Sequence, residues 1–152
     1  MSPPEESRQP ALSKFLCFAV YSANLAFGRA YKPLLERLGL TYTQYIALVA
    51  LSDAPDQTVG ALGEKLYLES NTLTPILKKL ESLGFLERRR DPADERQVRL
   101  NLTKAGRTIV ETDFSAQLSA ATGLGEEEFP AVQQTVARLR DNLLSATQGG
   151  GK

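Results

Sequence analysis

The sequence predicts a mainly α-helical chain carrying one small β-hairpin, and three observations point that way. Apolar residues recur at spacings of three and four over most of the chain, the period of helices with one apolar face. Between Phe85 and Thr103 the period drops to two, as in paired strands. Hydroxyl residues that cap helices, Thr41, Thr58 and Thr103, stand directly ahead of three of the helical stretches.

The elements follow in order. From Ala11 the residues Leu12, Phe15, Leu16, Ala19 and Val20 set a helix that runs toward Tyr31 and is expected to break near Pro33. The only cysteine, Cys17, sits on or beside its expected buried stripe. Thr41 and Gln44 have the spacing of a capping box, so a second helix starts near Thr41 and stops before Pro55. "TVGALGEKLYL" gives a short helix capped by Thr58. "ESNTLTPILKKLESLGFL" gives another, with Leu73, Ile76, Leu77 and Leu80 in helical period and an end at Gly84. Its start is open between Ser70 and Thr74, because Pro75 fits best at a first helical position but is tolerated near the first turn. This pair is a helix-turn-helix candidate.

"FLERRR" and "RQVRLNLT" are the arms of the hairpin, with Val98, Leu100 and Leu102 alternating with Arg99 and Asn101, and "DPADE" is its turn. Thr103 then caps a helix predicted to run unbroken through "KAGRTIVETDFSAQLSAA". A last helix opens with Glu126, Glu127 and Glu128 at its positive end and carries the stripe Phe129, Val132, Val136, Leu139, Leu143. The terminal helices are separated by the whole central block, so their apolar faces call for another surface, which a second chain would supply. Together the elements describe a winged helix-turn-helix inside a helical dimerisation frame.

Composition narrows the function. The chain of 152 residues, 42% hydrophobic and 24% charged, is sized for one core. No run reaches the roughly 20 apolar residues of a membrane span, and the "MSPPEESRQP" start does not look like a signal peptide, so a cytoplasmic protein without a membrane partner is expected. One cysteine and no histidine leave metal sites and nucleophile–histidine catalysis little to work with, so no metal, no cofactor and no enzyme activity are expected. Net charge is zero, yet between Lys78 and Arg107 nine basic residues face five acidic ones, a surplus on the helix-turn-helix and hairpin that suits DNA phosphates.

"LGFLERRRD", "DPADERQVRLNLT" and "LTKAGR" resemble the MarR family of dimeric transcriptional regulators. "LCFAVYSAN", "AYKPLLERLGLTYTQY", "LGEKLYLESNTLTPILKKLE" and "DERQVRL" resemble its organic hydroperoxide resistance (OhrR) branch, and the likeness spans nearly the whole chain. It implies one domain over residues 11–147, with dimerisation helices in 11–40 and 104–147 and a winged helix-turn-helix in 41–103 whose wing is about 85–103. Residues 1–10 and 148–152 would be flexible tails.

The same resemblance implies a homodimeric repressor that leaves its operator when an organic hydroperoxide oxidises the cysteine of the first helix, here Cys17. The family's tyrosine hydroxyls, contributed by the partner subunit to that sulfur, match Tyr31 and Tyr42, with Tyr21 matching a nearby tyrosine. The chemistry agrees, since the thiolate is the nucleophile and phenolic donors stabilise it. Position alone would make Cys17 a small packing residue; the joint match with the tyrosines favours a sensor. The family's second cysteine has no counterpart, the region reading "QLSAATGLG". The chain therefore resembles the one-cysteine type, in which a small intracellular thiol forms a mixed disulfide or further oxidation gives a sulfinic acid.

On the DNA side, Ser70, Asn71, Thr72, Thr74 and Pro75 are candidates for base edges and phosphates, and Lys78 and Lys79 for the backbone. Resemblance carries a minor-groove role onto Arg96, oriented by Asp94, with Arg88, Arg89 and Arg90 on phosphates. A dimer spacing two recognition helices about 34 Å apart implies a pseudo-palindromic double-stranded operator. Two rival functions stay open: a repressor released by a non-covalent ligand, and a thiol peroxidase.

Overall fold

Helix α1 shows how local chemistry and packing share the chain. Leu12–Lys14 form a single 3₁₀ turn, Phe15 is extended (φ −78°, ψ 117°), and α1 runs over Leu16–Glu36. The helix thus starts later than its apolar period suggests, and it passes through Pro33 instead of breaking there. Proline removes one backbone bond, but the turn after it seats Leu35, 3% exposed, in the core, so packing holds the helix together. Gly39 (φ 68°) ends this segment.

A computed structural model describes residues 11–149 of the chain. The segments 1–10 and 150–152, expected as tails, lie outside the described residues; Gln148 closes the last helix and Gly149 caps it. The chain divides after Asp113 into two compact units.

Among the described residues the first unit holds the sheet, the 3₁₀ turn and five α-helices. Helix α2, Tyr42–Ser52, begins with the expected capping box: the Gln44 N–H donates to Thr41 Oγ1 at 3.2 Å and the Thr41 N–H to Gln44 Oε1 at 3.0 Å. Strand β1, Gln57–Thr58, leads into α3, Val59–Leu66, and Thr58 is both strand end and helix cap. Strand β1 is too short for the period-two signal, which is why the sequence suggests a two-stranded hairpin where the fold has three strands. Tyr67 (φ 57°) ends α3, and Leu68 turns back to donate to the Gly63 carbonyl at 3.0 Å. A Cβ on Gly63 would stand 2.7 Å from the Leu68 carbonyl oxygen, so the turn requires glycine there.

Helix α4 spans Ser70–Ser82, which settles its start at Ser70 and puts Pro75 inside it. Leu73, Leu77 and Leu80 are fully buried on one side, packed with Leu48, Leu62 and Leu100. Strands β2, Leu86–Arg90, and β3, Val98–Leu102, form the hairpin, and the antiparallel sheet has the order β1-β3-β2. Helix α5, Lys104–Glu111, is capped by Thr103 and ends at Thr112, which is extended (φ −71°, ψ 104°). The long helix expected here is therefore two. Thr112 hydrogen-bonds back to Thr108 and Ile109, and a Thr-Asp pair favours such local bonds over helix propagation.

The second unit comprises α6, Ser115–Thr122, and α7, Glu128–Gln148. Glu126 and Glu127 fall in the turn ahead of α7, and Glu128 takes the first helical position. Along α7, Phe129, Val132, Val136 and Leu143 are all exposed.

Candidate DNA interface and cysteine site

One exposed stripe of α4 carries the predicted DNA contacts. Ser70, Asn71, Thr72, Pro75, Lys78 and Lys79 are exposed and Thr74 is half-buried, opposite the buried leucines. The Thr74 hydroxyl donates to the Ser70 carbonyl at 2.7 Å, so its lone pairs are what remain for a partner. Leu73, Leu77 and Leu80 fix the helix to the core, and the polar stripe is rigidly presented as a result.

The three consecutive arginines of β2 divide by strand alternation. Arg88 turns toward α4, where its Nε donates to Glu81 Oε2 at 2.9 Å and its Nη2 to Glu81 Oε1 at 3.4 Å. That contact holds the Glu81 carboxyl below its ordinary range. Arg88 thus braces the wing against α4, and together with Arg90 and Val98 it lines a recess of about 250 Å³. Arg89 lies opposite Arg99 on the other face. At the wing tip the Arg96 side chain is 96% exposed, with its Nε 3.9 Å from Asp94 Oδ1. The same Asp94 oxygen accepts the Arg96 backbone N–H at 3.1 Å, so Asp94 shapes the loop from which Arg96 projects.

The sequence reading passed over a second set of wing residues. Arg99 bonds Asp91 and the Asp56 carbonyl, and Asp56 and Asn101 bond one another twice. A detectable signal existed in the period-two pattern, which puts Arg99 and Asn101 on one strand face beside the acidic turn, but charge counting alone treats Arg99 as one more cation.

Cys17 is exposed, not buried, and most of the first half of α1 around it is exposed as well among the described residues. Cys17, Tyr21, Asn24, Gly28 and Tyr31 follow one another at spacings of four, three, four and three, so they share one face of α1. At its far end the Tyr31 ring sits 4.8 Å from that of Tyr42 and 6.3 Å from that of Tyr45, centroid to centroid. Burial, followed by the neighbouring phenols of Tyr42 and Tyr45, raises the Tyr31 pKa and keeps its hydroxyl protonated as a donor. Asn24, Leu25, Phe27, Gly28, Tyr31 and Tyr42 line an open groove of about 390 Å³. Tyr21 is exposed and lies 6.4 Å from the Phe18 ring. Cys17 and Tyr31 are separated by 14 helical positions, about 21 Å along the axis, so they do not meet within one subunit.

Among the described residues there is no group of metal-binding side chains, and no helix is long and apolar enough to cross a membrane. The family profile described as transcriptional regulator SarA/Rot matches residues 29–112. The chain is 44% identical over 134 residues to the organic hydroperoxide resistance transcriptional regulator of Bacillus subtilis, covering 87% of this chain and 91% of that one. It is 43% identical over 135 residues to the HTH-type transcriptional regulator TtmR of Methylorubrum extorquens, covering 88% and 69% respectively. Its fold matches reduced AbfR bound to DNA with a TM-score of 0.73 and 32% identity, over 90% of this chain and 94% of that one. With the winged helix-turn-helix and its basic wing, these likenesses make the chain a member of the MarR family of DNA-binding transcriptional regulators.

Proposed function

We propose that this regulator is a homodimeric repressor whose Cys17 senses organic hydroperoxides and whose oxidation releases the operator. The observation that carries the reading is an exposed Cys17 on the same face of α1 as the distant Tyr31, whose ring packs against that of Tyr42 at the start of α2. The axial separation of about 21 Å means that only a second, antiparallel copy can bring the phenols to the sulfur. The exposed apolar residues of α1, and those of α7, are each surfaces that a second copy would cover. Tyr31, Tyr42 and Tyr21 are assigned to the sensor.

In the reaction, the Cys17 thiolate attacks the distal oxygen of the hydroperoxide. The O–O bond breaks as the S–O bond forms, and a proton goes to the leaving alkoxide, giving a sulfenic acid and an alcohol. A small thiol then displaces water from the sulfenic acid to give a mixed disulfide; alternatively a second hydroperoxide gives the sulfinic acid. The added bulk sits in the intersubunit groove and favours a dimer geometry in which the recognition helices lose their spacing. Ser70, Asn71, Thr72, Thr74 and Pro75 read the major groove, Lys78, Lys79, Arg89 and Arg90 neutralise phosphates, Arg96 enters the minor groove and Arg88 supports the wing.

Operator binding by wild type and Cys17→Ser, with and without cumene hydroperoxide plus a small thiol, tests this. Wild type should release DNA on oxidation while Cys17→Ser stays bound; release of the variant sinks the redox mechanism. The groove beside Tyr31 supports one alternative, a non-covalent ligand, because its volume falls in the range of small-molecule sites. Inducibility retained by Cys17→Ser would favour it.

A further inference from the structure

The wing is tied down at its root by contacts that none of the DNA-facing roles above uses. Asp91, the first residue after β2, accepts from Arg99 Nε at 3.0 Å and Nη2 at 2.9 Å on one carboxylate oxygen. Its other oxygen accepts the Ala93 N–H at 2.9 Å. Arg99 Nη1 reaches across the sheet to the Asp56 carbonyl at 3.1 Å. Asp56 has a left-handed backbone, φ 54°, a conformation that a residue other than glycine keeps only when its surroundings hold it. Asn101 does so from both sides, accepting the Asp56 N–H at 2.8 Å and donating to its carboxylate at 2.7 Å. The side chains of Asp91 and Arg99 are 14% and 37% exposed, against 96% for Arg96 at the tip.

We propose that the Asp91–Arg99 pair is a positioning device for the wing, locking the loop 91–97 to the turn ahead of β1 in its DNA-reading shape before DNA arrives. Arg99 is a positioning residue and not a phosphate contact, since three of its nitrogens are already committed inside the fold. A loop ordered in advance does not lose its freedom on binding, so the benefit appears in affinity. The inference rests on the reading of Arg96 as the wing's DNA contact.

Charge makes the test decisive. Removing the Asp91 carboxylate raises the positive charge of a DNA-binding surface, so electrostatics alone predicts tighter binding. Positioning predicts the opposite sign. The probe is a fluorescent duplex that the wild-type protein selects from a randomised pool, with affinity measured by anisotropy across a salt series. Asp91→Asn and Arg99→Gln should each weaken binding about tenfold with an unchanged salt slope. The double variant should be no weaker than the worse single one, as two halves of one contact. Arg99→Lys keeps the charge and the fold but not the fork that spans Asp91 and Asp56, and should also weaken binding. Asp91→Asn binding as tightly as wild type or tighter, or Arg99→Lys binding like wild type, overturns the proposal. Arg96→Ala, run alongside, should weaken binding and reduce the salt slope; an unchanged affinity there sinks the Arg96 reading, whereas a weakened Arg96→Ala with tighter Asp91→Asn sinks only the positioning role. Far-UV circular dichroism of each variant confirms a folded wing domain before the comparison is made.

Discussion

Tyr31 and Tyr42 pack with ring centroids 4.8 Å apart and planes tilted by 56°, although one lies on α1 and the other opens α2. The capping box at Thr41 fixes where α2 begins, and so fixes Tyr42 against Tyr31. The α1–α2 corner therefore sets the two phenol rings side by side within the chain.

Tyr31→Phe keeps the ring and removes the hydroxyl. Oxidation of Cys17 by cumene hydroperoxide, followed by sulfenic-acid trapping, should slow about tenfold, the value of one hydrogen bond to a charged sulfur. The arrangement between subunits is tested by mixing: a heterodimer of Tyr31→Phe with Cys17→Ser has one intact pairing of sulfur and phenol in trans. It should react at the wild-type rate per remaining trans site, and a slow heterodimer would place the phenol and sulfur in one subunit.

Helix α7 offers a test of assembly. Val136 and Leu143 are 47% and 58% exposed in the single chain, and Leu143→Glu or Val136→Asp should leave the subunit folded. A charge forced into the dimer seam should weaken association at least about a hundredfold, ~3 kcal/mol, seen as a monomer by light scattering. A variant that remains fully dimeric at low concentration removes α7 from the interface.

The pH dependence follows from four groups. Asp91 is held below the ordinary carboxylate range, first by the Ala93 N–H and then by Arg99, and Glu81 by Arg88. Lowered carboxylates contribute stability above their unfolded pKa of about 4, and it is lost as pH falls through their folded values. Tyr31 and Tyr45 are raised chiefly by burial, so their contribution is intact below about pH 10 and lost as pH rises beyond it. With no histidine in the chain, the melting temperature of Cys17→Ser should be flat from about pH 6 to 8. A marked step inside that window contradicts this assignment.

Much of the molecule was legible in local chemistry. Thr41, Thr58 and Thr103 cap the helices they announce, because a hydroxyl one residue before a helix satisfies a backbone donor whatever surrounds it. The hairpin, the helix-turn-helix and the basic segment across them are periodic or compositional signals carried by neighbours in sequence. Cys17, Tyr31 and Arg96 were singled out by the resemblance to the family, since position alone would make Cys17 a packing residue.

Tertiary structure decided what depends on distant partners. Pro33 did not break α1 because Leu35 packs into the core beyond it, and Gln57–Thr58 became a strand because β3 offers an edge. Cys17 proved exposed because none of the other elements of the first unit packs over its face of α1 among the described residues. Arg99 turned from a surface cation into a clamp because Asp56, far away in sequence, presents a carbonyl beside it. The physical reason is common to all four: caps and periods are short-range, whereas burial and ion pairing are set by what the fold brings alongside.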